Sequence, residues 1–173
     1  YLDTLLVGDR EDAKTIYVQD WGSPVRAQQI GLSRATGDYV LWGCADDGAF
    51  LPGAIDLAMG RVDANTVVCG KYYEGSDNPD MNQRKYYYIN THDCCRSPFI
   101  DNDMLMFMVG VAPRKLLVEV GGVDAERFEA LPMAFNDLSV RLYHWGVSLM
   151  LQEEVMFRCS HMPGHEGDHG PIH

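Results

Sequence analysis

Short blocks of apolar residues, each closed by turn residues, run along the whole chain, and their spacing switches between two periods. Thr15-Ile-Tyr-Val-Gln-Asp20 is β-branched and aromatic, and Trp21-Gly-Ser-Pro24 ends it with turn residues, which predicts a short strand. Val25 to Thr36 then places Val25, Ile30, Leu32 and Ala35 at helical spacing, with Ser23 as cap, Pro24 in the first turn and Gly37 as stop. Asp38 to Cys44 predicts a second strand, Pro52 to Val62 a second helix, and Asn65 to Tyr73 a third strand. Glu74 to Ser97 is polar and tyrosine-rich and reads as a long loop or a ragged hairpin. Met104 to Val111 is a continuous apolar run suited to a buried strand, and Pro113 to Val120 is a short helix closed by Gly121-Gly122. A helix over Asp137 to Trp145, stopped by Gly146, and a strand within Val147 to Met156 complete the series. Tyr1 to Asp12 reads as the end of a helix followed by a charged loop. Strands alternating with helices predict one α/β domain over residues 1–173, with a mixed, mostly parallel sheet flanked by helices and a Gly/Pro/His-rich tail over residues 159–173.

Composition adds limits rather than an identity. The 173 residues are enough for one sizeable core, and 46% apolar with 23% charged residues is ordinary for a globular domain. A net charge of -11 argues against a nucleic-acid or anionic-membrane partner. No apolar run reaches the roughly 20 residues that span a bilayer, and no signal peptide is visible. The five cysteines lack any CxxC spacing, which fits reduced thiols and a cytoplasmic location, at or near a membrane surface included. The chain opens on Tyr1, which predicts that some segment precedes it.

The chemistry gathers at strand ends. Gly37-Asp-Tyr-Val-Leu-Trp-Gly-Cys-Ala-Asp46-Asp47 is a strand that runs into two adjacent carboxylates, followed by Leu51-Pro-Gly-Ala. Two acids at such an end call for a cation, and in open α/β sheets ligands bind there. Capping a helix is the alternative, but Pro52 lies five or more residues on. Asp20 closes the first strand in the same way. A βαβ unit would deliver it to the same sheet edge as Asp46 and Asp47, while a turn or cap role is the plain alternative. Arg26, in the next helix, suits a phosphate or a solvated face. Lys71 with Tyr72, Tyr73 and Tyr86 to Tyr88 suits either an acceptor-binding wall or packing over the sheet. Trp42 fits the core, and His92, Asp93 and Cys94-Cys95 form a weak metal-clip pattern. His161, His165, His169 and His173 recur at intervals of four among prolines and glycines that forbid a regular helix. They suit a metal ligand or a solvated tail.

The order Val-Gln-Asp20-Trp-Gly-Ser23, then Gly37-Asp-Tyr-Val-Leu, Asp46-Asp47 and Leu51-Pro-Gly-Ala-Ile-Asp56, resembles the inverting, nucleotide-sugar-dependent family 2 glycosyltransferases of GT-A (Rossmann-like) fold. Val120-Gly-Gly-Val-Asp124, Phe128, then Asn136-Asp137-Leu-Ser-Val-Arg141-Leu and Gly146 resemble that family's later signature, an acidic pair opening an amphipathic helix. The chain departs from the pattern at Asn136, where glutamate is usual, and at Trp21, where a second acid is common. The family's first strand and its nucleoside motif have no counterpart here.

The resemblance implies Asp20 on the nucleobase or ribose, and Asp46 and Asp47 on Mn²⁺ or Mg²⁺ bridging the diphosphate. It implies His169 or His173 completing the metal shell and Asp137 as general base. Asp137 as a helix-terminal acid favoured by the macrodipole is the alternative. The partners implied are a nucleoside diphosphate sugar and a glycan or other hydroxyl acceptor. Rival expectations are a nucleotidyltransferase, which uses the same sheet edge, and a non-catalytic sugar-nucleotide- or glycan-binding domain.

Overall fold

The computed structural model of the chain describes residues 2–4, 17–19, 23–43, 48–74, 87–89, 105–129 and 131–159. The described strands are β1 (Leu2–Thr4), β2 (Tyr17–Gln19), β3 (Tyr39–Trp42), β4 (Gly48–Phe50), β5 (Thr66–Glu74), β6 (Tyr87–Ile89), β7 (Gly110–Pro113) and β8 (Ser148–Cys159). The helices are α1 (Pro24–Arg34), α2 (Ala54–Met59), α3 (Arg114–Val120) and α4 (Leu131–His144). The fold is α/β with one mixed sheet, ordered β3-β7-β5-β8-β4, and β6 pairs with the distal half of β5.

The expectation of mostly parallel pairing fails. Among the described strands only β5 and β8 run parallel, while β3·β7, β5·β7, β4·β8 and β5·β6 are antiparallel. Alternation of strands and helices does not fix direction when the chain doubles back. After β5 it returns as β6 on the same strand, and β7 enters antiparallel between β3 and β5. A second expectation also fails. Leu2–Thr4 is a strand and not the end of a helix, and it pairs antiparallel with β2 in a separate two-stranded sheet. So β2 and β3 are not neighbours in one βαβ sheet, the arrangement from which a shared edge for Asp20, Asp46 and Asp47 was expected; those three aspartates lie outside the described residues. A three-residue segment such as Leu-Asp-Thr suits either state, and the cross-strand partner decides.

α1 begins as its sequence dictates. The buried Ser23 accepts the Arg26 N–H at 3.2 Å, with Pro24 at the first helical position. It ends at Arg34 with Ala35 as cap, so Gly37 lies beyond its stop. Gly37 instead offers its carbonyl to Arg114 Nε at 2.7 Å, tying α3 to the start of β3. α2 is shorter than the apolar spacing predicts, because Pro52-Gly53 forms a turn before it.

The apolar run before β7 is buried but is not a strand until Gly110. Met108 N–H bonds the nearby Met106 carbonyl, and Phe107 N–H is taken by the Ser139 hydroxyl at 2.8 Å. Ser139, fully buried on α4, donates onward to the Phe135 carbonyl at 2.7 Å. This one buried hydroxyl therefore fixes a coil segment to a helix. Ser139→Ala leaves the Phe107 N–H buried and unpaired, a loss of about 1–3 kcal/mol. A calorimetric melting temperature lowered by roughly 2–4 °C per kcal/mol is the expected result; an unchanged one would contradict the bond's role.

α4 starts at Leu131, earlier than predicted, and Asp137 sits in its second turn. Asn136-Asp137 therefore does not open the helix. Pro132 belongs to the first turn, where a missing N–H is tolerated. Ala134, Phe135, Leu138 and Leu142 are fully buried at helical spacing and carry the helix into the core. That core gathers Val67, Val68 and Cys69 of β5 with Trp42, Phe107, Val111, Leu117 and Met156.

Candidate functional site

Trp42 is the last residue of β3, one step before the segment that carries Asp46 and Asp47. Its ring is 4% exposed and lies 5.9 Å from Phe107 and 6.3 Å, edge-on, from Phe135. Phe135 is two residues before Asp137. The strand that leads to the acid pair thus ends beside the stretch of α4 that carries the candidate base. Edge-to-face and offset rings at these separations are favourable contacts, and they fix the two elements against one another.

α1 reaches both parts with consecutive glutamines. Gln28 Nε2 donates to the Gly43 carbonyl at 3.4 Å, at the end of β3. Gln29 Nε2 donates to the Gly121 carbonyl at 3.1 Å, and its Oε1 accepts the Val123 N–H at 3.0 Å. The second glutamine therefore holds the Gly-Gly loop from both sides. Gly122 has φ +66°, and a Cβ there would meet Gln29 Oε1 and approach Leu32 Cδ2 to 2.7 Å. Only glycine fits a left-handed position against which another side chain packs this closely.

Asp137 faces that loop through Arg141, one turn on along α4. Arg141 Nε and Nη2 both donate to Asp137 Oδ2, at 2.8 and 2.7 Å. Nη1 donates to the Val120 carbonyl and Nη2 to the Gly122 carbonyl, each at 2.6 Å. The Asp137 side chain is 29% exposed, so its carboxylate is open to solvent. Asp124 has a different task. Its Oδ1 accepts the N–H groups of Glu126 and Arg127 at 3.2 and 3.1 Å and closes the turn after the Gly-Gly loop.

Three buried polar atoms on these elements have no hydrogen-bond partner among the described residues: Gln28 Oε1, Trp42 Nε1 and Asn136 Oδ1.

Of the predicted site residues, Asp137 and Arg26 belong to the described residues. Arg26 is exposed in the first turn of α1. Asp20, Asp46, Asp47, His169 and His173 lie outside them, as do His161, His165, His92, Asp93, Cys94 and Cys95. Among the described residues no group of three or more metal-ligating side chains assembles. Lys71 is bound to Glu153 at 2.6 Å, and Tyr72, Tyr73, Tyr87 and Tyr88 lie on the paired strands β5 and β6. Trp42 is a core residue, as expected.

The pairing of Arg141 has a local signal in the sequence, its i,i+4 spacing from Asp137 on a helix. Gln29 has no such signal, since no local pattern points to a bond across 92 residues. None of the described helices is long and apolar enough to cross a membrane. Neither a protein-family model nor a curated protein matches this sequence.

Proposed function

We propose that the chain is a metal-dependent inverting glycosyltransferase of GT-A type, moving a sugar from a nucleoside diphosphate to a hydroxyl acceptor. The observation that carries the reading is the contact of Trp42 with Phe135. It brings the strand leading to Asp46-Asp47 against the helix segment holding Asp137.

Asp46 and Asp47 would hold the metal. Adjacent carboxylates are hard oxygen donors, the set that suits Mn²⁺ or Mg²⁺, and an imidazole from His169 or His173 is compatible with Mn²⁺ as a minority ligand. A bound divalent ion supplies Lewis-acid stabilisation of the departing diphosphate. Asp20 would hydrogen-bond the base or ribose, and Arg26 would meet a phosphate. Asp137 takes the proton of the acceptor hydroxyl. The acceptor oxygen then bonds the anomeric carbon on the face opposite the diphosphate, whose C–O bond breaks with its electron pair. A hydroxyl is a poor nucleophile near neutral pH, and a carboxylate within hydrogen-bond reach is what it lacks. Such a protein would work in the cytoplasm or against a membrane surface.

The binding half of this reading is tested by thermal shift of the full chain with a panel of nucleoside diphosphates, with and without Mn²⁺. Metal-dependent stabilisation that disappears in Asp46→Ala is expected. Stabilisation that survives both metal removal and that substitution would contradict it.

A further inference from the structure

Arg141 holds Asp137 at one oxygen only. Both of its donors to the carboxylate converge on Oδ2, and Oδ1 takes neither. An i,i+4 ion pair on a half-exposed helix face is ordinarily worth little and leaves both side chains mobile. Here the guanidinium is also bonded to two carbonyls outside the helix, those of Val120 and Gly122. Val120 is the last residue of α3, where the helix dipole favours a cation. A guanidinium is a rigid planar fork, so anchoring two of its edges fixes the third. Gln29 secures the same loop from α1.

The carboxylate is thus referenced to the Gly121-Gly122 loop and through it to α1, not only to its own helix. We infer that Arg141 is a positioning residue that fixes Asp137 through Oδ2 and leaves Oδ1 to accept the acceptor's proton. The inference rests on the reading of Asp137 as general base. A lysine keeps the charge but cannot make the three-edged contact. General-base transfer depends on placement to within about 1 Å, and a misplacement of that size costs about 100-fold.

The test is the steady-state kinetics of sugar transfer by the full chain with Mn²⁺, for Asp137→Asn, Arg141→Lys, Arg141→Ala and the double variant Asp137→Asn/Arg141→Ala. Arg141→Lys and Arg141→Ala are expected to lose about 100-fold in kcat with donor KM held within about twofold. Free guanidinium should restore part of the loss in Arg141→Ala. The double variant should be no slower than Asp137→Asn, because the arginine acts through the carboxylate. A wild-type kcat in Arg141→Ala would overturn the inference. So would a double variant whose losses multiply, or an Arg141→Ala defect that tracks a lowered melting temperature while Arg141→Lys stays fully active. Wild-type turnover in Asp137→Asn overturns the base assignment itself. An inactive Asp137→Asn beside an unimpaired Arg141→Ala overturns only the role of the arginine.

Discussion

Asp137→Asn is expected to lower kcat for sugar transfer by about 10²–10⁴-fold, the range a positioned general base supplies. The substitution keeps the shape of the side chain and one oxygen for Arg141 to hold. It removes only the ability to carry away a proton. Donor binding, read as metal-dependent thermal stabilisation by nucleoside diphosphate, should persist, since the proposed function assigns that task to Asp46 and Asp47. A structural role alone predicts something different. Loss of a part-exposed helix ion pair is worth about 0.3–1 kcal/mol, which would move the melting temperature slightly and leave turnover intact. The two outcomes differ by orders of magnitude in kcat, so rate and stability measured on one preparation separate them.

Gly110→Ala is expected to destabilise the fold by on the order of 4 kcal/mol, combining backbone strain with overpacking. Gly110 opens β7 at φ +153°, between Cys69 of β5 and Trp42 of β3. A Cβ there would run into the Val68 carbonyl, a backbone atom that cannot step aside without breaking the pairing of β5 and β7. The effect matters for the site because Trp42, directly opposite in the register, is the residue that joins β3 to α4. Domains of this size are stable by only about 5–15 kcal/mol, so such a loss is a large part of the total. Gly31→Ala supplies the contrast. Gly31 lies inside α1 with nothing near its missing Cβ, and alanine there should stabilise by about 0.5–1 kcal/mol. Urea titration followed by circular dichroism reads both. A Gly110→Ala midpoint equal to that of the wild type would contradict the close approach.

Parts of the fold were legible because they are set locally. Ser23-Pro24 announces α1, Gly121-Gly122 ends α3, and the β-branched run at Thr66 to Cys69 gives the central strand. What failed was set by partners distant in sequence. Leu2–Thr4 becomes a strand through pairing with Tyr17–Gln19. Leu105 to Val109 has the composition of a strand, yet one buried hydroxyl from Ser139 takes the Phe107 N–H out of any ladder. The direction of β7 follows from where the chain returns after β6, which no periodicity encodes.

The site divides in the same way. Asp137 stood out by its place in a motif, and Arg141 lay within reach as its helical neighbour. The carbonyls that hold the arginine, and Gln29 behind them, emerge only when α1, α3 and α4 are packed together. Asp20, Asp46, Asp47, His169 and His173 stand as proposals from sequence, outside the described residues.

The most direct measurement incubates the full chain with Mn²⁺, a panel of nucleoside diphosphate sugars and hydroxyl acceptors, and identifies the phosphate product. Release of nucleoside diphosphate, dependent on metal and lost in Asp137→Asn, is the predicted result. Release of pyrophosphate would instead identify nucleotidyl transfer, and binding of sugar nucleotide without turnover would identify a binding domain; either would contradict the proposed function.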